Sequence, residues 1–160
     1  MSKKLSARDL QLAFYYAHYP KFEFMAPNVY LRHDCELDIF GLRKGSGYVD
    51  EIEIKMTKSD FLADFNKTVY VRPARKLKHE ALQEGLLPTN RFSFLMPEKL
   101  AEKVEIPVYA GLYIYREKSG RISKIKQGQL LHKNKISDIL KYKTAKKMAY
   151  RYWQQLGKIK

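Results

Sequence analysis

Asp38, Glu53 and Lys55 are the residues of this sequence whose types and spacing best suit chemistry. Glu51-Ile52-Glu53-Ile54-Lys55 alternates charged and apolar side chains, the period of a β-strand. Val49, Glu51, Glu53 and Lys55 then share one face, and Tyr48, Asp50, Ile52, Ile54 and Met56 the other. The apolar face is expected to pack inward and the charged face to open on a cleft. In the preceding segment Asp34, Glu36 and Asp38 share a face, with Leu37 and Ile39 opposite. A hairpin closing through Lys44-Gly45-Ser46-Gly47 brings Asp38 near Glu53. Carboxylates that close repel, and a cation between them reverses the sign. Mg2+, with Mn2+ as a substitute, prefers such oxygen ligands together with water and substrate phosphate. It would polarise a phosphate and acidify a bound water. Lys55 would orient or deprotonate that water, or neutralise developing charge. The plainer alternative is a surface hairpin carrying Glu–Lys cross-strand pairs, worth about 0.2–1 kcal/mol each.

The elements that must position these groups are legible in outline. Ser6 and Asp9 form a capping box, and Leu10, Ala13, Phe14 and Ala17 fall at helical spacing, predicting a helix to about Tyr19. Strands are expected over Val29 to His33, Cys35 to Leu42 and Tyr48 to Met56, the last two as an antiparallel hairpin. Thr57 caps a following helix with Asp60 at its third position. Ala74 to Glu84 is expected to be helical and to stop at Gly85. Arg91 to Met96 is a strand and Glu98 to Lys103 a short helix. Ala110 to Tyr115 and Arg121 to Lys126 form a second hairpin around Lys118-Ser119-Gly120. Ile136 to Leu156 makes one or two basic helices, with Ala145, Met148, Ala149 and Tyr152 facing the core and an outer face that binds phosphate. Strands alternating with helices after an early hairpin indicate an α/β fold, a mixed central sheet flanked by helices.

With 160 residues, 45% of them hydrophobic, the chain suits one domain with a sizeable core. Its core is expected over about 6–126, with a basic helical extension over about 127–160. No apolar run is long enough for a bilayer-spanning helix, and no hydrophobic region follows Met1-Ser2-Lys3-Lys4, so a cytoplasmic location is expected. The single cysteine, Cys35, excludes an internal disulfide and a Cys-based zinc site within one chain. His18, His33 and His132 lack zinc spacing. The net charge is +14, and Arg116 to Lys160 holds 14 Lys and Arg against two acids. That asymmetry points to a polyanion partner, nucleic acid ahead of a membrane, because the C-terminal apolar face is too weak for interfacial binding.

Asp38, a 14-residue spacer and Glu53-Ile54-Lys55 resemble the PD-(D/E)XK nuclease superfamily, although Leu37 stands where the motif's name places proline. The stretch from Glu53 through Ser59-Asp60-Phe61 and Asp64 to Lys67 is similar to that of MmcB-like DNA-repair and phage or prophage nucleases. Lys76-Leu77-Lys78-His79-Glu80, Asn90 to Pro97, Ile106-Pro107 and Ala110 to Tyr113 resemble later parts of those proteins, so the likeness covers roughly Cys35 to Lys126. The resemblance implies a restriction-endonuclease-like core and a Mg2+-dependent deoxyribonuclease. Asp38 and Glu53 would be metal ligands, with the Ile54 carbonyl as a third, and Lys55 the catalytic lysine. DNA is the implied substrate and RNA stays open. A non-catalytic nucleic-acid-binding protein with a nuclease-like fold is the alternative.

Other residues carry two readings each. Glu36 and Glu51 either serve a second metal or a water-mediated contact, or pair with Arg32 and nearby lysines. Asp60 is a helix N-terminal charge and Asp64 a partner of Lys67 or Lys58, unless both help a metal site. Lys58, Lys67, Lys76, Lys78 and His79 are candidate phosphate contacts, or else a solvated basic surface.

Overall fold

A computed structural model describes residues 4–31 and 34–158. Ser6 opens α1 (Ala7–His18) with the expected capping box: its hydroxyl accepts the Asp9 N–H at 3.3 Å, and the Asp9 carboxylate accepts the Ser6 N–H at 2.9 Å. A short 3-10 turn (Tyr19–Lys21) carrying Pro20 leads into β1 (Phe22–Tyr30). That strand begins well before the expected Val29, and Arg32 and His33 lie outside the described residues. β2 (Glu36–Arg43) and β3 (Val49–Ile54) form the predicted antiparallel hairpin. Its turn uses Gly45 at φ 75° and Gly47 at φ 66°, a region where a Cβ would be strained.

Thr57 caps α2 (Lys58–Asp64), accepting the Asp60 N–H on its hydroxyl at 3.1 Å. β4 (Thr68–Val71) and β5 (Ala74–Leu77) then form a small separate hairpin. The helix expected from Ala74 therefore starts later, as α3 (Lys78–Gln83), because the main chain of Ala74 to Leu77 pairs with β4 instead. β6 (Arg91–Pro97), α4 (Glu98–Ala101), β7 (Gly111–Arg116), β8 (Arg121–Lys126) and a single α5 (Asp138–Leu156) complete the chain.

The main sheet has six strands in the order β1-β2-β3-β6-β7-β8. β3–β6 and β6–β7 are parallel and the other pairs antiparallel, so the sheet is mixed. The β3-to-β6 crossover carries α2, the β4–β5 hairpin and α3. On one face α1 packs Leu10 and Phe14 against Ile39, Ile52, Ile54, Leu95 and Tyr113. On the other, Phe61 of α2 and Ala81 and Leu82 of α3 cover Phe92, Phe94 and Met96. Glu51 and Glu53 lie beside Phe92 and Phe94 in the parallel register and share that second face. Ile136 and Leu140 cover the β1–β2 end of it, over Ala26, Phe40 and Leu42.

Residues after Lys126 do not form a detached extension. The Gln129 N–H donates to the Tyr109 carbonyl and the Leu131 N–H to the Asn90 carbonyl, each at 2.9 Å. The Asn90 side chain returns bonds to the His132 and Asn134 carbonyls, also at 2.9 Å. α5 turns Leu140, Thr144 and Met148 inward, whereas Ala145, Ala149 and Tyr152 are exposed, contrary to the expected stripe. Packing begins one turn earlier, at Leu140, and that fixes the rotation of the whole helix. Among the described residues no helix is long and apolar enough to cross a membrane.

Candidate active site

Asp38 sits where the β2–β3 ladder opens. The last paired residues are Ile39 and Ile52, and beyond them the Asp38 carboxylate accepts the Ile54 N–H at 2.7 Å in place of a main-chain partner. Regular alternation breaks here: Leu37 and Phe40 join one core cluster while Ile39 joins the other. The expected arrangement with Leu37 and Ile39 on a common face therefore does not hold. A cavity of about 320 Å³ follows, lined by Asp34, Cys35, Glu36, Asp38, Glu53, Lys67 and Thr68. Burial, reinforced by the charge of Glu53, raises the Asp38 pKa to about 6.

The charged face of β3 does not open on solvent. Glu51, Glu53 and Lys55 are 1%, 2% and 1% exposed, because α2 and α3 close over that side of the sheet. Burying such charges is costly unless each is paired, and they are paired. Lys55 Nζ lies 2.9 Å from Glu53 Oε1 and 2.7 Å from Asp64 Oδ1, with Asp60 at 3.6 Å. Lys67 Nζ reaches Glu53 at 2.5 Å and Asp64 at 2.7 Å. Lys78 Nζ reaches Glu51 at 2.7 Å and Glu53 at 3.2 Å. Burial opposes the charge of Lys67 and Lys78, but the surrounding carboxylates outweigh it and raise both pKa values. Glu53 is thus the hub at which three ammonium groups meet.

Asp64 forms the second centre. Burial disfavours its charge, yet the His79 hydrogen bond and the charges of Lys78 and Lys55 hold its carboxyl well below the usual range. His79 Nε2 donates to Asp64 Oδ2 at 2.7 Å, which leaves Nδ1 facing the Tyr109 hydroxyl at 2.5 Å. The imidazole stacks on Phe65 with ring centroids 4.5 Å apart. Burial and the Asp64 charge raise the Tyr109 phenol above its ordinary value. A continuous buried chain therefore runs Tyr109–His79–Asp64–Lys55–Glu53.

This geometry revises several expected positions. Lys78 and His79 are buried, so they are not surface phosphate contacts: α3 begins at Lys78 and points its first turn at the β3 carboxylates. The spacing of Lys78, Ala81 and Leu82, at i, i+3 and i+4, is the signal in the sequence that Lys78 lies on the apolar side. Lys58 is exposed, Lys76 is paired with Glu84, and Lys67 stands half-exposed at the cavity. Asp60 stands in the first turn of α2 behind the Thr57 cap and Asp64 pairs with Lys67 as expected, but Asp64 also holds Lys55 and His79, two partners that local spacing does not reveal. Glu36 is exposed at the cavity rim, accepting the Tyr30 O–H at 3.2 Å. Glu51 lies deeper, held by Lys78 and by the Thr89 hydroxyl at 2.5 Å. His18 packs against Phe14 and Tyr113, and burial lowers its pKa to about 4.

Lys78→Met is expected to destabilise the fold by about 3–5 kcal/mol, because it leaves Glu51 and Glu53 buried without their shared cation. Urea unfolding at neutral pH measures this, and a loss below about 1 kcal/mol would show that the ammonium is dispensable.

Among the described residues no group of three or more His, Cys, Asp or Glu side chains is arranged to hold a metal ion. Asp38 and Glu53 nevertheless suit one. They are two carboxylates lining a common cavity, and Asp38 has no ion-pair partner among the described residues. An acid raised by burial and by a neighbour's charge is the setting that a divalent cation relieves.

No protein-family model matches the chain, and no curated protein matches it. A solved protein of unknown function from Silicibacter pomeroyi is similar, at 15% identity and a TM-score of 0.63, over 96% of this chain and 90% of that one. At that identity the likeness concerns the fold alone, an α/β domain with a mixed six-stranded sheet and flanking helices.

Proposed function

We propose that this chain is a divalent-cation-dependent nuclease that hydrolyses DNA phosphodiester bonds, built on a restriction-endonuclease-like core of the PD-(D/E)XK kind. The observation that carries the reading is the meeting of Asp38 and Glu53 at one cavity, with Lys55 held against Glu53. Asp38, Glu53 and the Ile54 carbonyl are the groups that would hold Mg2+ or Mn2+, which when bound supplies Lewis-acid polarisation of the phosphate and a more acidic water. The remaining work falls to the chain's own side chains. Lys67, half-exposed at the cavity, meets the incoming phosphate. Lys55 is fixed by Glu53 and Asp64 and presents a pre-oriented charge to the oxygen on which negative charge grows. The Tyr109–His79–Asp64 chain holds Lys55 in place through Asp64.

The test is cleavage of duplex, single-stranded and branched DNA in Mg2+ or Mn2+. Cleavage should cease with a chelator and fall about 100-fold or more in Lys55→Gln. Equal cleavage by that variant would remove Lys55 from the mechanism. A second reading, a nucleic-acid-binding protein that does not cut, is favoured by one observation: Lys55 and Lys67 already neutralise Glu53 internally. Salt-sensitive DNA binding without hydrolysis of any form in either metal would support it over the first.

A further inference from the structure

The outward face of α5 is as ordered in chemistry as its buried one. Tyr142, Lys146, Tyr150 and Trp153 follow at i, i+4, i+8 and i+11, opposite the inward stripe of Leu140, Thr144 and Met148. The three aromatic side chains are 66%, 63% and 69% exposed. They span about 16 Å at 1.5 Å per residue, room for about five bases stacked at 3.4 Å. Over α5 five Lys and Arg residues face a single acid, Asp138. Lys147 and Arg151 anchor the helix to β1, donating to the Tyr30 and Pro27 carbonyls at 3.0 Å. Lys143 and Lys146 are exposed and make no ion pair among the described residues, so their charge is available to a partner.

Resting on the deoxyribonuclease reading above, we propose that this face binds single-stranded DNA. The bases stack on Tyr142, Tyr150 and Trp153 while Lys143 and Lys146 follow the phosphates. Paired bases in a duplex hide the surfaces that aromatic rings need, whereas unpaired ones offer them. Position supports the assignment. α5 lies over the β1–β2 end of the sheet face that carries Glu51 and Glu53, and it is tied to Tyr30, whose hydroxyl reaches Glu36 at the cavity rim. DNA held along α5 would therefore run past the β1–β2 end of the sheet, the end whose rim carries Glu36. A second copy of the chain is a poor occupant, because two such positive helices repel. A lipid surface is also poor, because the apolar stripe of α5 is already buried against β1 and β2.

Trp153 is the sole tryptophan of the chain, so its emission reports on this face alone. The full chain is titrated in chelator with a 20-mer of thymidine, a 20-mer of abasic tetrahydrofuran units, a 20-base-pair duplex and a 20-mer of uridine. The thymidine strand is expected to quench Trp153 and to bind more tightly than the other three. Replacing Tyr142, Tyr150 and Trp153 together by alanine should weaken thymidine-strand binding, followed by anisotropy, about tenfold or more and leave abasic binding within about twofold. The three side chains are exposed, so the fold should survive, and circular dichroism checks this. Absence of quenching, equal weakening toward the abasic strand or tighter binding of the uridine strand overturns the proposal. So does concentration-dependent dimerisation that the triple variant abolishes. Binding in chelator needs no hydrolysis. A failure to cleave therefore counts only against the nuclease reading, and a failure to stack counts only against this one.

Discussion

Glu53→Gln is expected to abolish cation-dependent cleavage and to weaken the fold in the same stroke. The catalytic loss should reach about 1,000-fold, because the change removes a carboxylate from the proposed cation site and one of the two that hold Lys55. The structural loss follows from the contacts of the hub: Lys55, Lys67 and Lys78 all point at Glu53. Asp64 still neutralises the first two and Glu51 the third, so the cost should fall near the lower end of the roughly 3–5 kcal/mol for breaking a buried pair. Unfolding in urea separates the two effects from cleavage assays done well below the denaturation midpoint. Mg2+ at 100 times its dissociation constant should stabilise the wild type by about 2.7 kcal/mol and the variant much less. An active Glu53→Gln enzyme would mean that the cation site lies elsewhere.

Asp38→Asn should act with the opposite sign on stability while still removing activity. In the folded chain burial and the Glu53 charge raise the Asp38 pKa from 3.8 to about 6. Between those values the folded state binds more protons than the unfolded one, so stability falls as pH rises through that window. Above pH 6 the ionised acid carries the whole penalty, about 2–3 kcal/mol at roughly 1.4 kcal/mol per pKa unit. Asparagine keeps an oxygen to accept the Ile54 N–H and has no charge to desolvate. In chelator at pH 7.5 the variant should be more stable by about that amount, and near pH 4 the gain should vanish. A gain independent of pH would assign the effect to packing, and no gain at all would place Asp38 in a less strained setting than its contacts indicate. Stability given up at a carboxylate proposed to hold a cation would be a common cost of function.

Short-range features are written in the sequence itself. The Ser6 and Thr57 caps, the glycine turn at Gly45 and Gly47 and the alternation of Ile52 with Glu51 and Glu53 each depend on residues a few positions apart. Together they specify the hairpin and the helix after it. The β4–β5 hairpin is not legible in this way, because Ala74 to Leu77 has no strong preference of its own and its main chain is claimed by β4. Lys78 and His79 mislead for a related reason: a basic run looks solvated until its partners are known.

The amino-acid sequence alone determined which groups are present for chemistry, and through strand alternation it determined that Glu51, Glu53 and Lys55 face one way. Tertiary structure decided that this face is buried, that Asp64, Lys67 and Lys78 converge on it, and that Asp38 leaves the ladder to meet Ile54 at a cavity. The physical reason is range. Capping and alternation are set by neighbours along the chain, whereas the ionic network joins residues up to 27 positions apart, Glu51 to Lys78, and exists only once the parallel β3-to-β6 crossover has folded α2 and α3 over the sheet.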